Sequence, residues 1–219
     1  MKLINKIAQL SFFLCLVFVL VLSVSCSRTK PEIPFGFIKL VLYQGDSGPR
    51  EQFSFFIMPE DEDGLENLDE LYLYHDREQL RWKIKSDEWI KHTQDGKNWI
   101  GTRAITVREG SLPRGVFRAV LVNKGGEKAE RNFTFDGTVR FPFPHLEISG
   151  GMYTVNSLWP VNRLVCYDRA GNYTTTVVLT SLTGSVAQLN LPGSVRTVAL
   201  WAEDEANFTS AFTNAVSVN

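Results

Sequence analysis

Cysteine is scarce in this 219-residue chain, with Cys15, Cys26 and Cys166 the only three. Cys15 lies inside an apolar N-terminal run, so the body of the chain has too few thiols for a framework of internal disulfides. Its fold must be held by an apolar core. Histidine is as rare, and His75, His92 and His145 show no metal-binding spacing such as H-x-x-x-H. Phosphate-binding loops, dinucleotide fingerprints and G-x-S-x-G elbows are absent, which removes the common catalytic signatures. No basic patch or basic helix occurs, and the formal net charge is −1, so nucleic acid is not an expected partner. Lysine is missing altogether from residues 138–219. No sustained helical period is present either.

The N-terminus is distinctive. Lys2 and Lys6 precede an uncharged run from Ile7 to Val24, and Ser23-Val24-Ser25 leads directly into Cys26. Basic, apolar and small-residue regions in this order form a secretory signal. With a cysteine at the cleavage point, the segment resembles a bacterial lipoprotein signal of the relaxed, spirochaete type. Ser25 fits the position before the cysteine, whereas Leu22 lies four residues before it rather than three. The resemblance implies removal of residues 1–25, lipidation of Cys26 and a short spacer over 26–34. It also implies a cell-envelope location, with Ser27 after the cysteine leaning toward the outer membrane. Cys166, flanked by Leu164, Val165 and Tyr167, then reads as a buried small hydrophobe.

The remainder reads as β structure. Runs such as Phe37–Tyr43, Gln52–Ile57 and Val116–Val122 are rich in branched and aromatic residues. Asn123-Lys124-Gly125-Gly126 predicts a hairpin between two of them. Strands are expected near 36–43, 52–58, 69–75, 78–84, 98–106, 115–123 and 127–135. A second set is expected near 139–147, 150–156, 162–167, 173–178, 185–190, 195–202 and 207–217. Spacing of about 8–12 residues suits sandwiches. Charge thins out after Asp136-Gly137, a turn-forming pair, which places a boundary there and divides the chain into 35–137 and 138–219. Leu71–Arg77 parallels Leu164–Arg169, and Ser111–Arg118 parallels Asn190–Arg196. Each half closes with an expected strand that contains Asn-Phe-Thr, at Asn132 and Asn207. The halves read as a tandem repeat.

The Leu-Pro-x-Gly turn at Leu112, with Leu191-Pro192-Gly193 as its counterpart, resembles the E–F corner of fibronectin-III and immunoglobulin-like modules. Asp168-Arg169-Ala170-Gly171-Asn172 resembles the hairpin turn of bacterial immunoglobulin-like domains. Departures are the missing cysteine pair and Phe117 where a corner tyrosine is expected. The resemblance implies an all-β fold of two tandem immunoglobulin-like β-sandwich domains, the second smaller. Such folds carry no activity by themselves.

Three clusters are candidate sites. Glu60–Glu66 and Asp69 form an acidic loop in which Asp61, Asp63, Glu66 and Asp69 offer oxygen ligands for calcium, though without EF-hand spacing. Trp89 and Trp99, with Tyr72 and Tyr74, offer ring faces to a sugar or a protein. Trp89 lies in a polar stretch and reads as the most exposed of these, whereas Trp82 and Trp99 read as core. His75-Asp76 adjacency means little in a strand, where neighbours point apart. The expectation is a non-enzymatic envelope lipoprotein, with no catalytic residue and no cofactor beyond the lipid on Cys26 and the calcium considered above. Its partners are a membrane and a protein or glycan. The alternatives are a carbohydrate-binding lipoprotein and an envelope hydrolase with its site between the modules.

Overall fold

A computed structural model describes residues 29–45 and 48–218. The leader, Cys26 and the first part of the spacer lie outside the described residues. What is described is all-β, with short 3-10 turns as its only helical elements. The first eight strands are β1 (Glu32–Gly45), β2 (Gly48–Glu60), β3 (Leu68–His75), β4 (Leu80–Lys85), β5 (Ile90–Gln94), β6 (Lys97–Ile105), β7 (Gly115–Asn123) and β8 (Lys128–Phe135). They are followed by β9 (His145–Ser149), β10 (Met152–Asn156), β11 (Val161–Tyr167), β12 (Tyr173–Val178), β13 (Thr183–Ser185), β14 (Thr197–Asp204), β15 (Thr209–Phe212) and β16 (Val216–Ser217).

Three sheets are formed. A four-stranded sheet runs β4-β3-β7-β8, and a three-stranded sheet runs β13-β10-β9. The third runs β12-β11-β14-β15-β1-β2-β6-β5, with β16 also on β14. Its centre is a parallel pairing of β1 with β15, Leu40 opposite Thr209 and Tyr43 opposite Phe212. Strands from the two ends of the chain therefore belong to one continuous sheet.

Alternation explains the layers. In β3, Leu71 and Leu73 point inward and are fully buried, while Tyr72 and Tyr74 point outward. Phe53, Phe55 and Phe117 meet between the nine- and four-stranded sheets, and Phe53 packs edge-on against Phe117 at 5.4 Å. Each such side chain contributes about 2–3 kcal/mol through burial. Leu146, Tyr153, Leu164, Cys166, Val198 and Leu200 make a second core between the three-stranded sheet and the other half of the large one. A third cluster sits at the join, where Leu42, Trp159, Ala202 and Ala211 pack with Val139, Phe141 and Phe143. The last three belong to the connection between β8 and β9, so this segment is a packed wedge rather than a free linker.

Gly137 occupies a tight place. A Cβ there would stand 2.4 Å from the Asn207 carbonyl oxygen and 2.5 Å from the Phe135 ring. It serves close approach of the two halves, not the left-handed turn that Asp136-Gly137 suggests. Residues 29–34, read as spacer, also belong to the body. Ile33 is buried in the first core, and the Asn123 side chain donates to the Thr29 carbonyl at 2.9 Å.

Most expected strands are present. Four departures have local causes. Ile90–Gln94 pairs as an additional edge strand because Asp95 and Gly96 take positive φ and turn the chain back. Val186–Leu189 is a 3-10 turn, not a strand, since the Ser185 hydroxyl accepts from the Ala187 N–H. Residues 139–144 are irregular because their apolar side chains are spent in the wedge. The expected strand 207–217 divides into β15 and β16 around Thr213, whose hydroxyl accepts from the Leu200 N–H.

Candidate binding cleft

One face of β1 carries Phe37, Lys39, Val41 and Tyr43, opposite to the core-facing Ile38, Leu40 and Leu42. Across the parallel join, β14 and β15 present Trp201, Glu203 and Phe212 on the same side. Further out, β11 adds Arg163, Val165 and Tyr167, and β12 adds Tyr173 and Thr176. From the other direction come Gln52 and Ser54 of β2, Arg103 of β6 and His92 of β5. The continuous sheet thus folds round a cleft of about 960 Å³.

An ion-pair cluster forms its floor. Glu203 is nearly buried, and its two oxygens are taken by Lys39 and by Arg163. The Trp201 indole N–H also donates to Glu203 Oε2 at 3.3 Å, and Arg163 reaches the exposed Glu205 at 3.2 Å. Lys39 stands over the Trp201 ring at 5.3 Å. Burial holds the Lys39 ammonium below its ordinary pKa, the Glu205 carboxylate opposes this, and Arg163 adds to the lowering. Burial likewise raises the Tyr167 phenol, against the pull of Arg103. Arg103 is exposed and makes no ion pair among the described residues.

Aromatic rings line the walls. Trp201 and Phe212 lie 5.7 Å apart, and Phe37 stacks on Phe56 at 5.8 Å. Tyr173 projects at the rim with 64% of its surface exposed. The Asp168–Asn172 turn holds this rim. Asp168 Oδ1 accepts the N–H groups of Ala170 and Asn172, both at 2.8 Å, and Gly171 supplies a φ of 81°.

None of the four ring residues expected from sequence lines the cleft, and Trp99 comes nearest, through its contact with Phe37. It is not core: it lies on the outer face of β6, 5.7 Å from Phe37 and edge-on to Phe35. Trp89, the better surface candidate of the tryptophans by sequence, is buried at 8% exposure and donates its indole N–H to the Ile84 carbonyl at 3.1 Å. Its polar flanks mislead because the turn between β4 and β5 tucks the ring under the sheet. Tyr72 and Tyr74 stack on each other at 5.8 Å on the outside of the four-stranded sheet. Lys83 covers Tyr72 and Arg118 covers Tyr74, so their faces are already engaged. Trp82 packs against the first core as expected.

The acidic loop is organised by its own hydrogen bonds. Asp61 Oδ1 accepts from the Asp63 N–H at 2.9 Å and from the Asn67 side chain at 3.1 Å. Asp63 accepts from the Thr29 hydroxyl at 3.1 Å. Among the described residues, no three His, Cys, Asp or Glu side chains converge as metal ligands, so Asp61, Asp63, Glu66 and Asp69 are not gathered round one point. His75 is buried, its Nδ1 accepting from the Glu78 N–H and its Nε2 lying 3.0 Å from the Arg114 carbonyl.

Trp201, Phe212 and Arg103 escaped notice in the sequence. The available signal was the two-sided apolar character of Phe37–Tyr43 and of Val198–Ala202, which means a strand covered on both faces.

No protein-family profile matches the chain, and no curated protein does. Among solved structures it is similar to Tp47, the 47-kilodalton lipoprotein of Treponema pallidum, at 13% identity and a TM-score of 0.41, over 87% of this chain and 52% of that one. It is also similar to dimeric latent PorU from Porphyromonas gingivalis, at 11% identity and a TM-score of 0.34, over 87% of this chain and 20% of that one. The chain spans about half the length of the first and a fifth of the second. At these values neither likeness carries an argument about architecture or activity.

Proposed function

We propose that the protein is a non-enzymatic, lipid-anchored component of a bacterial cell envelope, the outer membrane being favoured, and that it binds a protein or envelope component in the cleft between two immunoglobulin-like sandwiches. The observation that carries this reading is the β1–β15 pairing, which makes one sheet out of strands from both halves and so creates a cleft that neither half has alone.

Strand order supports the sandwich assignment. In the first half, β1, β2, β5 and β6 share one layer while β3, β4, β7 and β8 share the other. In the second, β9, β10 and β13 oppose β11, β12, β14 and β15. Exchange of successive hairpins between two layers is the immunoglobulin and fibronectin-III arrangement. The segments that parallel each other in sequence hold equivalent places, Leu71–His75 in the third strand of one half and Leu164–Tyr167 in the third strand of the other. A non-enzymatic role is supported by Glu203, the one carboxylate lining the cleft, whose two oxygens are occupied by cations.

Anchoring rests on the leader and Cys26. Cys26 stands three positions before Thr29, which is tied to Asn123 and Asp63. Three residues reach at most about 10 Å, so this reading holds the first sandwich against the membrane surface. Several acyl chains, each buried methylene contributing about 0.8 kcal/mol, make such a tether permanent. The test is metabolic labelling with a fatty-acid analogue in cells producing the wild type or Cys26→Ala. Label on the wild type, with loss of label and release from membranes in the variant, is expected. An unlabelled wild type, or undiminished label on Cys26→Ala, overturns the anchor.

A further inference from the structure

Resting on the reading of the cleft as the ligand site, we propose that its occupant is a short acidic saccharide, with sugar rings stacked on Tyr167, Tyr173 and Phe212 and a carboxylate or sulfate held by Arg103. Charge points to the acid. The lining holds Lys39, Arg103 and Arg163 against Glu203 alone, on a chain whose formal net charge is −1. Lys39 and Arg163 are engaged with Glu203, which leaves the exposed Arg103 guanidinium to meet an incoming anion with a two-pronged hydrogen bond.

The walls point to a ring-bearing ligand. Tyr167, Tyr173 and Phe212 line the cleft with aromatic rings, whereas Lys39 already stands over Trp201. Gln52, Ser54 and Thr176 add neutral groups that exchange hydrogen bonds with hydroxyls. A peptide is less well served. The floor is the middle of a sheet whose backbone groups are spent on neighbouring strands, so no strand can be added there. A nucleic-acid strand needs a basic track along its backbone, but the β12 rim, Tyr173–Val178, carries no charge. The volume of about 960 Å³ lies at the upper end of small-ligand sites, ~300–1,000 Å³, and suits an oligosaccharide over a single sugar.

The experiment is binding of the detergent-solubilised full chain to an array holding neutral, uronate-containing, sialylated and sulfated glycans. Single-stranded DNA and polyglutamate serve as competing anions. Acidic glycans are expected to bind best, to weaken with salt, and to lose about tenfold in affinity in both Arg103→Gln and Tyr173→Ala. Both side chains are exposed, and unchanged thermal unfolding checks that the variants are folded. Equal binding of neutral glycans, stronger binding of DNA or polyglutamate, or binding indifferent to the two substitutions overturns the proposal, and so does a blank array. A photoreactive phenylalanine analogue at position 173 in intact cells separates this failure from that of the cleft itself. Adducts there keep the cleft as the site of a different ligand, and their absence removes the cleft as well.

Discussion

Lys39 of β1 and Glu203 of β14 form an ion pair across the join between the two halves, with β15 lying between their strands. They are 164 positions apart in sequence. Lys39 has no carboxylate close by in its own strand, so its pairing depends on the sheet being continuous across the join. Arg163 completes the cluster from β11.

Glu203→Gln removes the only carboxylate between two partly buried cations. Breaking such a pair from one side costs about 3 kcal/mol, because Lys39 is left without its counter-ion while Arg163 keeps only the exposed Glu205. Urea unfolding should show a lower midpoint at unchanged slope. A midpoint equal to the wild type would mean that the cluster contributes nothing to the join.

Asp168→Ala should loosen the β11–β12 hairpin and with it the Tyr167–Tyr173 rim. The backbone N–H and side chain of Asn172, then the N–H groups of Ala170 and Gly171, hold the Asp168 carboxyl below its ordinary value of 3.8. A depressed carboxylate contributes stability that is present above 3.8 and lost as the pH falls through the folded value. Wild type should therefore lose more stability than Asp168→Ala on acidification below that point. Parallel acid-unfolding curves for the two proteins would refute this.

Trp89→Ala should destabilise by about 3–5 kcal/mol, as expected for a buried Trp. Trp89→Phe should cost about 1–2 kcal/mol, since it leaves the Ile84 carbonyl without its indole donor. Neither variant, where folded, should change binding in the cleft. Altered ligand affinity in Trp89→Phe at full stability would restore the ring as a contact residue.

Cys166 is fully buried, and burial raises its thiol pKa. An aromatic disulfide reagent should modify it only as fast as the protein opens, and promptly in denaturant. Rapid stoichiometric reaction in the native state would place the thiol on an accessible surface.

Much of the fold could be read in advance because it is written in local terms. Alternation in Leu71–His75 and Val161–Tyr167 marks strands, and the Asp168–Asn172 turn carries its own hydrogen-bonding carboxylate. Trp82, between Arg81 and Lys83, could be placed inside from that alternation alone. Trp89 could not, since a turn residue has no alternating neighbours to fix its direction. The Tyr72–Tyr74 pair was visible as two outward rings, yet the cations that cover them arrive from β4 and β7, strands whose register with β3 is a long-range property.

The order of residues alone determined an all-β chain without a disulfide framework, because periodicity and turn chemistry act over a few residues. The join was decided only by tertiary structure. Whether Phe37 and Tyr43 face solvent, a neighbouring core or a ligand depends on which strand pairs with the open side of β1, and that strand comes from the far end of the chain. Pairing with β15 places Lys39 beside Glu203 and Arg103 across from Tyr167 in one cleft, a juxtaposition that no short stretch of sequence encodes.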